Sequence, residues 1–174
     1  MLQYGSSGAG TLLHLAQIDL YNHVGIEADH VPFDGAARSV PALLGGSVDV
    51  VVAHPPELIE HAEAGTVQML GVFSEERDPQ IPDVPTIVEQ VGYDTYWDVY
   101  KFVMAPAGTP QTIVDDLHDG FEAMLNDEDA ANALESLGLA IRYMDGDELG
   151  QTLREDNENM GQVIQESGVL EDME

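Results

Sequence analysis

From Met1 to Ser74 the apolar positions follow two alternating rhythms. A short stub, Leu2–Tyr4, precedes a glycine-rich turn, Gly5–Gly10. Thr11–Val24 then places Leu12, Leu15, Ala16 and Leu20 near one face, with Asp19 and Asn22 off it, and Gly25 closes the segment. That spacing predicts a helix. Ala28–Phe33 predicts a strand, Asp34-Gly35 a turn, and Ala36–Leu44 a helix ended by Gly45-Gly46. Val48–Ala53 (VDVVVA) predicts the strongest strand of the chain, β-branched and nearly all apolar, as expected of a strand covered on both faces. Pro55-Pro56 opens a helix reaching about Ala64, because proline fits a first helical turn whose N–H groups have no partner. Val67–Ser74 predicts another strand. Strand and helix thus alternate four times, the pattern of an α/β fold with a parallel sheet and helices on its faces.

The rhythm changes after Ser74. Asp78–Pro85 holds three prolines and predicts an extended loop; Thr86–Val91 predicts a short helix and Asp98–Ala105 a strand. Thr109 and Pro110 predict an N-cap and first helical position. Helices follow over Gln111–Asn126 and Glu128–Leu137, the latter ended by Gly138; then come a short strand, Ala140–Met144, and a long polar helix, Asp147–Gly168.

Charge changes the picture most. The 174 residues carry 33 acids against 5 basic residues, Arg38, Arg77, Lys101, Arg142 and Arg154, for a formal net charge of -28. No basic patch can be assembled from these, which argues against nucleic-acid and anionic-membrane partners. The acids are dispersed from Asp19 to Glu174, a distribution expected of a surface adapted to high salt, where screening mutes their repulsion. A local role for the acids in cation binding, or as an acidic tail, is the competing reading. With no cysteine, disulfides and thiolate chemistry are excluded. No apolar run is long enough to span a membrane, and Met1 is followed at once by a strand and turn, so no signal peptide is expected here.

Two loops are candidate sites. Gly5–Gly10 lies between strand and helix, where glycines admit a close ligand and helix-start N–H groups point at it; Ser6, Ser7 and Thr11 add hydroxyls. That suits a carboxylate or phosphate, without the lysine of a P-loop; a plain tight turn is the alternative. Asp34-Gly35-Ala36-Ala37 offers a second set of N–H groups, or simply a helix capped by Asp34. Both loops leave the C-terminal ends of strands, where open α/β sheets bind ligands. His54 follows the VDVVVA strand at the same edge, facing the cleft or serving only the loop. Asp49, inside that strand, either bonds backbone N–H groups near the cleft or faces solvent at the strand's end. The six histidines, His14, His23, His30, His54, His61 and His118, form no HExxH-type pair, so no metal site is expected, nor any cofactor. No nucleophilic serine motif or distinct carboxylate pair marks a catalytic residue.

In order along the chain stand GSSGAG (Gly5–Gly10) with Leu13-His14-Leu15, HVPFDGAARSVPALLGGSVDVVVA (His30–Ala53), EAG (Glu63–Gly65), VPTIVEQ (Val84–Gln90), Trp97 and APAGTP (Ala105–Pro110). This series resembles the receptor proteins of tripartite tricarboxylate transporters, the Bug family. The resemblance implies a periplasmic-binding-protein type II-like fold, a Venus flytrap that closes two lobes on a small carboxylate and delivers it to membrane transporter subunits, outside the cytoplasm and without catalysis. It implies that Ser6, Ser7, Gly8 and Thr11 form the first carboxylate loop of the second lobe, and Phe33, Asp34, Gly35, Ala36 and Ala37 its second loop. Asp34 departs from the basic residue that the family often has before the glycine. Family members are about twice as long, with the secretion signal and first-lobe half before the matched part. Residues 1–97 then correspond to one complete parallel-sheet lobe, and 98–174 to the return strand and helices of an incomplete first lobe, with self-association through uncovered apolar faces. Two other readings stay open: an enzyme or regulator reusing the lobe, with His14 and His54 as its only bases near the glycine loop, and a remnant without binding activity.

Overall fold

A computed structural model describes residues 1–92, 97, 99–136, 141 and 143–167. The chain divides into two compact units, Met1–Asp98 together with Glu155–Glu174, and Val99–Arg154.

The first unit is built on a three-stranded parallel sheet. Strand β1 (Leu2–Ser6) is central, flanked by β2 (Ala28–Pro32) and β3 (Val50–Val51), in the order β2-β1-β3. Helix α1 (Leu12–Val24) links β1 to β2, and α2 (Ala36–Leu44) links β2 to β3. β1 and β2 pair along their whole length, from Leu2 opposite Ala28 to Ser6 opposite Pro32. α1 ends as the sequence predicts: Gly25 takes the left-handed conformation (φ 70°), and its N–H reaches back to the carbonyls of Asn22 and Tyr21.

The sheet is smaller than the sequence predicts. VDVVVA contributes only Val50 and Val51 to the sheet, opposite Tyr4 and Gly5. β1 turns into its glycine loop after Ser6, which leaves the later residues of that run nothing to pair with, and β3 is an edge strand among the described residues. Val67–Ser74 forms no strand at all. Among the described residues it makes an isolated bridge to Thr86 through Val72, whose N–H donates to the Pro85 carbonyl (3.0 Å) and whose carbonyl accepts from Ile87 (2.9 Å). The helix expected from Pro55 breaks into a 3-10 turn (Pro55–Glu57) and a short α3 (Ile59–Glu63).

Helix α4 (Ile87–Val91) starts with a reciprocal cap: Thr86 Oγ1 accepts from Glu89 N–H (3.1 Å) and Glu89 Oε2 from Thr86 N–H (2.9 Å). Arg77 donates to Glu89 (2.9 Å) and to the Pro82 carbonyl (3.0 Å), tying the proline-rich loop to this cap. Both hydrogen bonds favour the ionised form, so the Thr86 N–H first and Arg77 second hold the Glu89 carboxyl below its ordinary range.

The second unit contains α5 (Gln111–Leu125), α6 (Glu128–Ser136) and the start of α7 (Gly146–Ser167). α5 begins at Gln111 with Pro110 as its N-cap, so Thr109 lies outside the helix; its hydroxyl donates to the Pro106 carbonyl instead (2.8 Å). The strands expected over Asp98–Ala105 and Ala140–Met144 are absent among the described residues of those spans. Leu137, Gly138 and Gly168, expected near helix ends, lie outside the described residues.

Burial separates the units. Among the described residues, the buried apolar ones, Tyr4, Leu15, Ala16, Val40, Val48 and Ile87, all belong to the first. α5 buries no residue, and Ile113, Leu117, Phe121 and Met124 along it stay exposed. Spacings of four, four and three put these four on one helical face.

Candidate functional site

The parallel pairing of β1 with β2 places the two predicted loops side by side at the C-terminal edge of the sheet. They are joined there: Phe33 N–H donates to the Ser6 carbonyl (3.1 Å). The Phe33 ring covers Gly5, where an added Cβ would lie only 3.0 Å from it.

Each loop feeds a helix start that no side chain caps. Thr11, the N-cap of α1, is extended (φ -73°, ψ 160°) and makes no side-chain cap bond. Gly35, not Asp34, is the N-cap of α2, with φ 86° and ψ 171°, a conformation open essentially to glycine alone. Asp34 is exposed and supplies no cap bond. The first N–H groups of both helices therefore have no intrahelical acceptor, and the positive ends of two helix dipoles meet one sheet edge. Ala36 and Ala37 put no bulk in front of the second helix start.

The hydroxyls divide by role. Ser6 is fully buried, and its Oγ lies 3.0 Å from the Gly8 carbonyl, 3.2 Å from Gly8 N–H and 2.7 Å from His30 Nε2. Thr11 Oγ1 donates to the Gly8 carbonyl (2.8 Å) and accepts from Ser7 Oγ (3.2 Å). Ser6 thus holds the loop, whereas Ser7 and Thr11 are half-buried at its surface.

Two histidines support the loop from below: His14, a candidate base in the enzyme reading, and His30, to which the sequence assigns no role. His14, buried on α1, accepts Gly10 N–H at Nδ1 (3.0 Å), and its Nε2 lies 3.2 Å from the Tyr4 hydroxyl. Its ring stacks on that of His30, with centroids 3.6 Å apart and planes 14° from parallel. Tyr4 stacks at 5.0 Å on His30 and meets Tyr21 edge-on. Burial, then the Tyr4 phenol, pushes the Tyr21 hydroxyl up to about 12. The spacing of sixteen between His14 and His30 carries no motif; only the β1–β2 register brings them together.

His54 is exposed, three residues past β3 at the same sheet edge, and its N–H donates to Glu57 (2.8 Å). Asp49 stands at the opposite, N-terminal end of β3, where its carboxylate accepts Gln3 N–H (2.8 Å); of its two readings, the solvent-facing one holds, and it lies away from the loops. A concavity of about 260 Å³ in the first unit, lined by Asp19, Asn22, His23, Val163 and Glu166, flanks the C-terminal half of α1 and presents two carboxylates, a poor match for an anion. On α5, His118, Asp119 and Glu122 bring their ligand atoms within 4.8 Å of one another, a grouping at helical spacing that the search for histidine pairs passed over. Such clusters are ordinary on a surface with 33 acids, and the Tyr143 hydroxyl already lies 2.8 Å from His118 Nε2.

Known proteins match most of the chain. Residues 1–169 match the family model described as tripartite tricarboxylate transporter family receptor. A UPF0065 protein of Cupriavidus necator is 31% identical over 168 residues, covering 97% of this chain and 51% of that protein. A UPF0065 protein of Pseudomonas sp. strain P51 is 35% identical over 140 residues, covering 79% of this chain and 41% of its own. Among solved structures, a TctC solute-binding protein from Polaromonas superposes with TM-score 0.82 at 25% identity, covering 95% of this chain and 57% of that one. A Rhodopseudomonas palustris protein solved with adipate gives TM-score 0.76 at 26% identity, covering 96% and 56%. The chain therefore spans about half the length of these relatives. The matching family is one of receptors, not enzymes, and the Polaromonas neighbour is a solute-binding protein.

Proposed function

Because the chain belongs to the tripartite tricarboxylate transporter family of receptors, we propose that it grips one end of a small carboxylate as part of an extracytoplasmic solute-binding receptor serving a membrane transporter. One observation carries this reading: two uncapped helix starts, α1 and α2, converge on one edge of a parallel sheet, joined by the bond from Phe33 to Ser6. Backbone N–H groups and the Ser7 and Thr11 hydroxyls are the ligand contacts, with Gly8, Gly35, Ala36 and Ala37 keeping the approach open. Phe33 and Ser6 hold the two loops in register, and Asp34 and His54 stand at the rim. A site of this kind needs no lysine or arginine, and its N–H groups act at contact range, where salt screens them little. Adipate in the R. palustris neighbour makes a dicarboxylate the ligand of first choice.

The first unit corresponds in this reading to one lobe. The exposed stripe Ile113, Leu117, Phe121 and Met124 on α5 supports assigning the second unit to the other lobe, where those side chains would cover a sheet, or would bring copies of this chain together. No helix among the described residues is long and apolar enough to cross a membrane.

A thermal-shift screen in about 2–3 M salt tests the site, since a ligand at about a hundred times its Kd adds about 2.7 kcal/mol. A dicarboxylate such as adipate is expected to raise Tm, and Gly35→Asp to abolish the rise. No shift with any mono-, di- or tricarboxylate from a folded sample would overturn the reading for this chain.

A further inference from the structure

We propose that the stacked imidazoles of His14 and His30 are the positioning element of the glycine loop, and that His14 holds the loop in its ligand-ready shape only while Nδ1 is unprotonated. The inference rests on reading Gly5–Gly10 as a ligand loop.

The direction of one hydrogen bond is fixed by chemistry. A backbone N–H can only donate, so the bond from Gly10 N–H to His14 Nδ1, at 3.0 Å, requires a lone pair on that nitrogen. The proton of a neutral His14 then sits on Nε2, facing the Tyr4 hydroxyl at 3.2 Å. His30 acts on the other end of the loop: its Nε2 lies 2.7 Å from Ser6 Oγ, which is itself bonded to both N–H and carbonyl of Gly8. With centroids 3.6 Å apart, neither ring can shift without the other. Gly8 and Gly10 both have positive φ, 138° and 71°, outside the ordinary helical and strand regions, so the loop cannot join a regular ladder there and these side-chain tethers help to hold it.

Protonating Nδ1 would set an N–H against the Gly10 N–H, and the tether would be lost. At the stack distance two imidazolium charges would repel strongly, so a proton on one ring opposes a proton on the other. Among the described residues, the groups seen against the stack are the Tyr4 phenol and Ser6 hydroxyl from β1, and Tyr21 from α1, edge-on to Tyr4. Of the carboxylates on the same elements, Asp19 accepts the Trp97 Nε1–H, and Asp29 is exposed on the alternate face of β2. Asp34, in the second loop, is exposed.

The sign separates positioning from simple charge attraction. If the histidines attracted the ligand by charge, acidification would tighten carboxylate binding. If they position the loop, acidification through the imidazole range weakens it.

The test is nitrogen-15 NMR of the full chain in high salt between pH about 5.5 and about 8.5, the span in which an imidazole ordinarily titrates. Long-range couplings are expected to show His14 protonated at Nε2 and not at Nδ1 at the upper end. His14→Leu, which removes the acceptor, is expected to speed Gly10 amide exchange about tenfold or more, as for loss of a single structural hydrogen bond. His14→Asn, whose Oδ1 takes the place of Nδ1, is expected to keep that amide protected and to remove its pH dependence. A proton on Nδ1 in the wild type, or equal Gly10 exchange in His14→Leu and wild type, would overturn the proposal. Adipate titrations at pH about 6 and about 8 supply a second readout, with weaker binding expected at the lower value in the wild type and not in His14→Asn; tighter binding at pH about 6 would overturn it too. Absence of adipate binding at every pH would count against the carboxylate reading alone, because the amide measurements judge the tether without ligand.

Discussion

The aromatic ring of Phe33 rests on the backbone of Gly5. A Cβ placed on Gly5 would lie 3.0 and 3.2 Å from two ring carbons and 3.1 Å from a Val51 methyl, so all three strands of the sheet meet at this glycine. Gly5→Ala is therefore expected to push Phe33 away from β1 and to cost about 1–3 kcal/mol, the usual range for overpacking. Denaturant unfolding in high salt would measure it. An unchanged midpoint would show that Phe33 moves aside freely, and would weaken its role in keeping the two loops in register.

A second long-range contact can be followed optically. Asp19, buried on α1, accepts the Trp97 indole N–H at 3.1 Å, while Trp97 N–H donates to the Phe73 carbonyl at 2.7 Å. Trp97 is the sole tryptophan of the chain, so its fluorescence reports on this one site. Asp19→Ala is expected to shift its emission to the red and to cost about 1–3 kcal/mol, as when a buried donor loses its acceptor.

The cap of α4 predicts an acid dependence. Glu89 is held below the ordinary carboxylate range, first by Thr86 N–H and then by Arg77. A depressed folded value means that the stabilisation is complete above the unfolded value and is lost as pH falls through the folded one. Tm is expected to drop on acidification through and below the ordinary carboxylate range, with a shallower drop in Glu89→Gln. Because Glu89 is exposed, the difference is expected to be small and to shrink further in high salt. Parallel slopes for the two proteins would refute the assignment.

The net charge of -28 predicts a salt requirement. Arg77 pairs with Glu89, and five basic residues cannot neutralise 33 acids, so like-charge repulsion dominates the surface. Tm is expected to rise steeply with salt between about 0.1 M and about 3 M, as screening shortens the reach of like-charge repulsion. Full stability in dilute buffer would remove the reason for reading the surface as salt-adapted.

Local chemistry made much of this legible beforehand. Gly25 ends α1 as its residue type requires, Ala36–Leu44 is helical over the span its pattern marked, and the glycine-rich turn stands between strand and helix. These features depend on residues near one another in the chain, and so does the family resemblance, which the match over residues 1–169 bears out. What failed depended on neighbours. Val48–Ala53 and Val67–Ser74 have the composition of strands, but a strand exists only where another offers free backbone groups, and β1 has room for two residues of β3 and none of the later segment. The candidate site divided in the same way. Its glycines and hydroxyls could be picked out by type, but sequence could not assign Ser6 to the loop's scaffold, give the cap of α2 to Gly35, or bring His14 and His30 into one stack. The register of β1 against β2 decided those relationships, because it sets residues far apart in sequence at hydrogen-bonding distance.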